Sequence, residues 1–207
     1  ALMAGGDVES HRRLAPILEA IAARADDGTP CADRLGNAAA VGHFVKMMHN
    51  GIEYADMQLI AEIHDLLTRG YGLGAARVAD VFDSWRDGPL SSFLIDVTAT
   101  VLRRGDPKTG RPLVDMVLDM AGQKGTGRWA SIAALELGVA APSIAEAVSA
   151  RVVSSLKDQR VAASARFSRP AIKPPALVQS QLADALLAGK ICAYAQGFAV
   201  LSAANDA

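Results

Sequence analysis

The sequence predicts a mainly helical protein that begins with a small segment of mixed strand and helix. Three observations support this prediction. From about residue 40 onward, segments with helical spacing of apolar residues follow one another, short turns rich in Gly, Pro and Asp separate them, and alanine is abundant, which suits closely packed helices. The residues themselves indicate only one strand, Leu2-Met3 before Gly5-Gly6.

The elements follow from these patterns in order. Helical periodicity begins at residue 8 and ends near residue 25, where Asp-Asp-Gly-Thr-Pro breaks it, and a long helix is predicted over residues 40–69. Three prolines within residues 170–175 predict an extended or irregular linker. Further helices are predicted over residues 74–85, 91–102, 113–120, 130–137, 142–164 and 180–203.

Length, composition and charge restrict the class of protein. The 207 residues, 51% of them apolar, are enough for one domain, or one domain and a small piece, with a sizeable core. A net charge of −1 offers no general basic field for nucleic acid. No uninterrupted apolar run of membrane-spanning length and no basic leader are found, so we expect a cytoplasmic protein that does not bind membranes.

Cysteine and histidine spacing argues against a metal site. Cys31 and Cys192 stand alone, far apart in the chain, and neither belongs to a C-x-x-C pair. None of the four histidines forms an H-x-x-x-H pair. We therefore expect reduced thiols and no bound metal.

The long helix carries four polar residues on one face. Lys46, His49, Asn50 and Glu53 fall within an arc of about 100°. One interpretation is a solvated helix face with a Lys/Glu pair. The other is a functional patch on a buried helix, because the same face continues into apolar residues and the opposite side is apolar as well.

A dinucleotide-binding fingerprint is not predicted. The nearest match to the G-x-G-x-x-A variant is Gly125-Thr-Gly-Arg-Trp-Ala130. The segment before it, residues 113–120, has helical spacing, whereas the fingerprint needs a strand that enters the turn. We therefore assign these glycines no such role.

Three motifs resemble those of the 6-phosphogluconate dehydrogenase family. The string Gly42-His-Phe-Val-Lys-Met-Met-His-Asn-Gly-Ile-Glu-Tyr-Ala-Asp-Met-Gln58 resembles the family's signature helix. Residues 121–129, Ala-Gly-Gln-Lys-Gly-Thr-Gly-Arg-Trp, resemble its substrate-phosphate loop. The third motif comprises Glu-Ala-Val-Ser-Ala-Arg at 146–151 and Ser-Ser-Leu-Lys-Asp at 154–158, and the resemblance extends over nearly the whole chain.

The resemblance implies a fold and an activity. Residues 1–38, including a short strand within 31–36, would be the remnant of a nucleotide-binding domain, and residues 39–207 a truncated all-helical substrate and dimerisation domain. The implied activity is oxidative decarboxylation of 6-phosphogluconate to ribulose 5-phosphate and CO2 with NADP, in the pentose phosphate pathway and gluconate utilisation. The implied enzyme is a homodimer that needs no metal. Preference for NADP over NAD rests on the resemblance alone.

The resemblance also assigns catalytic roles. This chemistry needs a base to take the hydroxyl proton of a 3-hydroxy acid and an acid to protonate C1 of the enediol that remains after CO2 is lost. Suitably placed lysine and glutamate side chains can perform these steps. The family's positions correspond to Lys46 as base and Glu53 as acid, about 10 Å apart along the helix axis.

The remaining site residues would bind substrate. His49 and Asn50 would hold it around the reacting carbons, although each could equally be a core residue with satisfied hydrogen bonds. An ammonium, a guanidinium and hydroxyl groups suit a phosphate monoester, although a lone Lys or Arg is more often a surface charge. The family's phosphate-binding set corresponds to Tyr54, Lys124, Thr126 and Arg151.

Departures from the family lead to further expectations. Ala4 stands where the family has proline, and Arg128 replaces a lysine. The family's Ser-Gly-Gly loop and C-terminal tail are not recognised within these 207 residues, so we expect the isolated chain to show little or no turnover. Two rival interpretations are a non-catalytic helical association module and a related β-hydroxyacid dehydrogenase.

Overall fold

The first part of the chain forms a small parallel strand-helix-strand unit. The structure, a computed structural model, describes residues 1–167 and 174–206. β1 (Leu2–Ala4) pairs in parallel with β2 (Ala32–Arg34), and α1 (Val8–Ile21) connects them. The Asp7 carboxylate begins α1 by accepting a hydrogen bond of 2.9 Å from the backbone N–H of Ser10. Both strands were predicted, the second from the resemblance alone.

The predicted end of the first helix is four residues too late. After Ile21 the chain turns into an antiparallel bridge between Arg24 and Pro30, which takes residues 22–25 out of the helix. The apolar face at Leu14 and Ile17 has the predicted spacing, yet both side chains are more than half exposed. Periodicity therefore identified the helix correctly, but this face is not buried within the described residues.

Helices make up most of the rest, which confirms the predicted fold class. The long helix α2 (Ala39–Asp65) continues into a single wider turn, Leu66–Gly70, whose Thr68 hydroxyl donates to the His64 carbonyl at 2.8 Å. The remaining helices are α3 (Ala75–Asp83), α4 (Phe93–Arg103), α5 (Thr126–Glu136), α6 (Pro142–Ser155), α7 (Lys157–Arg166) and α8 (Gln179–Asp206).

Helix α2 is the centre of the fold. It packs against α8, α5 and α6 along its length. Its first half contributes Met48 and Ile52 to a core rich in alanine from α5, α6 and α8. Its second half contributes Ile60 and Ile63 to a larger core that also contains Phe82. Small residues on its neighbours let the helices approach closely, so α2 is held firmly on several sides.

The predicted helix over residues 113–120 is wrong. Only Leu113–Met116 forms a single 3₁₀ turn, and the chain is irregular from Val117 to Lys124. Val114 packs against the core, but Val117 and Leu118 are more than half exposed, so the apolar spacing that suggested a helix does not correspond to one continuous buried face. An eight-residue helix is marginal without such burial. Residues 125–130, the nearest match to a dinucleotide-binding fingerprint, therefore follow an irregular segment. The strand that such a fingerprint requires does not precede them.

Three other predictions need correction or fall outside the description. The helix predicted over residues 142–164 is two helices, because Leu156 leaves the helical conformation with φ −87° and ψ 51°. Helix α5 begins at Thr126, four residues before the predicted start, since Gly125 turns the chain into it. Of the linker predicted over residues 170–175, residues 170–173 lie outside the described part of the chain.

Helix α8 is unusually apolar. Its 28 residues include a stretch with mean hydropathy 1.3, so by length and composition it could cross a membrane, although no uninterrupted apolar run of that length exists. Leu186, Ala193 and Val200 of α8 are buried in the core against other helices. Core helices of globular proteins pass the same test, so this observation is weak evidence for a membrane span.

Candidate active site

Three of the predicted catalytic and substrate-binding side chains contact one another on α2. The Lys46 Nζ atom lies 3.2 Å from His49 Nδ1, and this histidine nitrogen also lies 3.2 Å from Asn50 Oδ1. One ring nitrogen cannot accept from the ammonium and donate to the amide oxygen at the same moment. Whether His49 Nδ1 carries a proton therefore depends on whether this nitrogen binds Lys46 or Asn50.

Glu53 lies two turns further along the same face, beside an open cleft. It is half-buried, and it lines the cleft together with His49. This cleft of about 730 Å³ is bounded by β1, α2, the start of α4 and the apolar side chains Tyr194 and Phe198 of α8. Within the described residues, Lys46 and Asn50 are not among those that line it. The structure thus clusters three of the four polar residues and places the fourth beyond them along the helix.

The predicted phosphate-binding residues form a second group. The guanidinium of Arg151 lies 4.3 Å from the centre of the Tyr54 ring, a cation–π contact. Its Nη1 atom donates to the Gly122 carbonyl at 2.9 Å. Tyr54 also lies against Gly127, where a Cβ atom would come within 2.6 Å of the ring. Three separate parts of the sequence therefore meet at the Tyr54 ring.

Lys124 and Thr126 flank the start of α5. Gly125 precedes the helix with φ +106°, a left-handed conformation that glycine adopts at little cost. Thr126 is the first helical residue and is half-buried, whereas Lys124 is exposed. The first backbone N–H groups of a helix have no intrahelical acceptor and favour anions. The Gly122 carbonyl bound by Arg151 lies two residues before Lys124, so the same loop connects these side chains.

One polar contact near this face was not predicted. Asp56 and Lys190 form an ion pair between α2 and α8, with about a tenth of each side chain exposed. Two sequence signals could have identified it. Lys190 is the only basic residue of the apolar α8, and Asp56 follows Glu53 by one helical turn.

Residues 1–167 and 174–206 contain no group of three or more His, Cys, Asp or Glu side chains that could hold a metal ion. Cys31 and Cys192 are free cysteines, half-buried and exposed respectively.

Comparison with known proteins agrees with this fold. Residues 42–207 match a sequence model of the family described as "6-phosphogluconate dehydrogenase, C-terminal domain". A Bacillus subtilis protein named "6-phosphogluconate dehydrogenase, NADP(+)-dependent, decarboxylating" is 49% identical over 210 residues, covering 100% of this chain and 44% of that protein. A Synechococcus elongatus relative named "6-phosphogluconate dehydrogenase, decarboxylating" is 50% identical over 213 residues, covering 100% of this chain and 45% of its own length.

A solved structure supports the same conclusion. It is Plasmodium falciparum 6-phosphogluconate dehydrogenase, described in its apo form, with its cofactor NADP+ and with its substrate 6-phosphogluconate. The match has a TM-score of 0.88 at 35% identity and covers 98% of this chain and 44% of that one. The fold is therefore the helical domain of an oxidoreductase. More particularly, the chain belongs to the 6-phosphogluconate dehydrogenase family, and it spans less than half the length of these relatives.

Proposed function

We propose that this chain supplies the helical part of an enzyme that converts 6-phosphogluconate into ribulose 5-phosphate and CO2 while NADP is reduced. The observation that carries the proposal is the contact between Lys46, His49 and Asn50, with Glu53 two turns along the same face. The names of the relatives support the substrate and the cofactor. A cytoplasmic role in the pentose phosphate pathway and gluconate utilisation belongs to the same proposal.

The proposed roles follow the chemistry of the reaction. Lys46 takes the hydroxyl proton as the carbinol carbon is oxidised, and it returns a proton to polarise the resulting ketone while CO2 leaves. Glu53 protonates C1 of the enediol. His49 and Asn50 hold the reacting carbons. Since His49 Nδ1 contacts both Lys46 and Asn50, a substrate oxygen that displaced either contact would change the tautomer that His49 prefers.

The proposed phosphate site lies at the other group of residues. Lys124, Thr126 and the start of α5 offer positive charge, a hydroxyl and free backbone N–H groups, which suit a dianionic phosphate. Arg151 supplies a second cation and Tyr54 a phenolic hydroxyl. The stacking of Arg151 on Tyr54 supports this assignment because it fixes the orientation of the guanidinium.

The glycine-containing turns of this chain do not fit a dinucleotide-binding fingerprint. The unit formed by β1, α1 and β2 has Gly5-Gly6 after its first strand instead of G-x-G-x-x-G, and the glycines before α5 follow an irregular segment. We propose that residues 1–38 are the last part of a nucleotide-binding domain and that residues 39–207 form the helical substrate domain. The family match starting at residue 42 supports this boundary.

Ligand binding to the 207-residue chain tests the proposal. Isothermal titration with 6-phosphogluconate and with gluconate should show preference for the phosphorylated acid. Arg151→Met should reduce that preference about tenfold or more, because charged hydrogen bonds contribute about 1.5–3 kcal/mol. Arg77→Met, at an exposed position on α3, is the matched control. Equal binding of both acids would instead favour a related β-hydroxyacid dehydrogenase.

A separate assay tests turnover. We expect the purified 207-residue chain to form no NADPH from 6-phosphogluconate, because no nucleotide fingerprint is present in its sequence. Measurable NADPH formation would contradict this expectation.

Self-association is a second candidate function, supported by an exposed apolar stripe on α8. Ile191, Tyr194 and Phe198 are each more than half exposed, while Leu201 is half-buried beside them. Exposed apolar surfaces of this kind often mark interfaces. We propose that this stripe contributes to a homodimer. Sedimentation velocity should show a dimer that Phe198→Ser weakens. An unchanged sedimentation profile would reject the stripe as the interface.

A further inference from the structure

Residues 117–125 form a loop that neither regular structure nor apolar burial holds in place. The loop follows the 3₁₀ turn Leu113–Met116 and leads into α5. Its large apolar side chains, Val117, Leu118 and Met120, are each at least half exposed. Lys124 lies within this loop, two residues before the start of α5. Other interactions must therefore determine its course.

Polar contacts from the α6–α7 junction supply those interactions. The Asp119 carboxylate binds the Lys157 ammonium and lies 3.3 Å from Arg160 Nη1. Arg160 Nη2 also donates to the backbone carbonyl of Asp119 at 2.5 Å. We refer to Asp119, Lys157 and Arg160 as the clasp.

Two neighbouring contacts extend the clasp along the loop. The backbone N–H of Ala121 donates to Ser154 Oγ at 2.9 Å, and Arg151 donates to the Gly122 carbonyl at 2.9 Å. Arg160 additionally donates to the Ser154 carbonyl from Nε and Nη2, at 3.2 and 3.0 Å. Positions 119, 121 and 122 of the loop are thus each held by a side chain from residues 151–160.

The break between α6 and α7 makes this arrangement possible. In one continuous helix, Arg151 and Arg160 would point in opposite directions, because nine residues correspond to about two and a half turns. The helix is interrupted at Leu156, and both guanidinium groups contact the same loop. A local interruption of the helix thus has a consequence for the candidate phosphate site.

We propose that Asp119 and Arg160, together with Lys157, are positioning residues that order residues 117–125 and thereby hold Lys124 in place beside the start of α5. The role in substrate binding rests on the proposed function, whereas the ordering of the loop does not. The three residues need not touch substrate. They act through the loop that carries the candidate phosphate-binding lysine.

Hydrogen exchange measured by mass spectrometry on the 207-residue chain tests the ordering of the loop. Asp119→Ala and Arg160→Ala should each raise exchange within residues 117–125 about tenfold, because each removes charged hydrogen bonds. Arg160→Lys should be intermediate, since it keeps the charge but loses the fork that binds two carbonyls. Glu9→Ala removes an exposed ion pair on α1 and should leave the loop unchanged. Wild-type exchange in both alanine variants would overturn the proposal.

Salt provides a test that needs no substitution. About two thirds of the Asp119 side chain and one third of the Lys157 and Arg160 side chains are exposed, so salt should screen the clasp. Raising the salt concentration to about 1 M should increase exchange of residues 117–125 in the wild-type chain and much less in Asp119→Ala. Equal responses of the two chains would overturn the proposal.

Titration with 6-phosphogluconate and gluconate tests the positioning role. Asp119→Ala should weaken binding of 6-phosphogluconate about tenfold and leave binding of gluconate unchanged. Wild-type affinity for 6-phosphogluconate in this variant would overturn the positioning role. If the wild-type chain bound neither acid, the proposed function would fail, while the exchange measurements would still decide whether the clasp orders the loop.

Discussion

Lys190 of α8 places its Nζ atom 2.6 and 2.7 Å from the two carboxylate oxygens of Asp56 on α2. Both residues are buried, and Asp56 follows Glu53 by one turn beside the same cleft. A buried pair of this kind is weak evidence for stability, because desolvation offsets the attraction. The pair favours this packing of α8 against α2, since separating the two side chains within the core would leave each charge buried alone.

The first prediction concerns this pair. Lys190→Met should lower the free energy of unfolding by about 3–5 kcal/mol, because Asp56 would remain buried without a counter-charge. The double variant Asp56→Leu, Lys190→Met should recover much of this loss. Urea unfolding followed by circular dichroism measures both. Equal destabilisation of the single and double variants would show that charge pairing is not the cause.

The second prediction concerns the close packing of α5 on Tyr54. Gly127→Ala would place a Cβ atom 2.6 Å from the Tyr54 ring and 2.9 Å from Val148, so neighbouring side chains must move. We expect a loss of about 1–3 kcal/mol, measured by thermal or urea unfolding. Gly122→Ala is the matched control, because a Cβ atom there would meet nothing within 4 Å. Similar stability of the two variants would contradict the packing argument.

The third prediction concerns pH. Burial lowers the pKa of the His64 imidazole below its ordinary value near 6.5, although Asp65 and Asp115 act in the opposite direction. The unfolded chain then binds a proton at this residue more readily than the folded chain. The free energy of unfolding should therefore fall as the pH drops below about 6.5, and the decline from this residue should end below the folded pKa.

Urea midpoints between about pH 7.5 and pH 5 measure this effect. His64→Gln should show a shallower decline than the wild-type chain. His43→Gln, at an exposed position of the same helix, should keep the wild-type decline. An identical pH dependence of the His64→Gln and wild-type chains would contradict the prediction.

The fourth prediction concerns the proposed catalytic residues. It requires this chain joined to the part of its Bacillus subtilis relative that lies outside the match. In that protein, Lys46→Met and Glu53→Gln should each lower kcat about 10²–10⁴-fold, the usual contribution of a general base or acid. NADPH formation measures the rate, and Lys108→Met, at an exposed turn, is the control. Unchanged turnover in the Lys46 variant would favour the association module.

Much of the fold could be predicted because helical spacing is a local property. The long helix was placed to within a few residues, and its polar face at Lys46, His49 and Asn50 follows from the spacing alone. The same reasoning failed over residues 113–120, where helical spacing was present but only its first part packs against the core, as at Val114, while Val117 and Leu118 are more than half exposed. The helical spacing of apolar residues indicates which face a helix would bury. It does not indicate whether other segments of the chain cover that face.

The candidate site shows the same limit. The sequence motifs and the family resemblance proposed Tyr54, Lys124 and Arg151 as candidate site residues, but they did not predict the contact of Arg151 with Tyr54 or the loop that Arg151 holds. The clasp was missed because it depends on the break at Leu156, within a segment predicted to be one helix. A single residue outside the helical conformation changed which side chains could reach the loop.

By itself, the sequence determined the helical character of this protein, the order of its main elements and the polar face of α2, because these depend on residues within a few positions of one another. Only the tertiary structure decided that Asp56 would meet Lys190, 134 residues away, and that the α6–α7 junction would hold the loop before α5. Such contacts form when distant segments exclude water together. Their partners are therefore set by the packing of the whole chain.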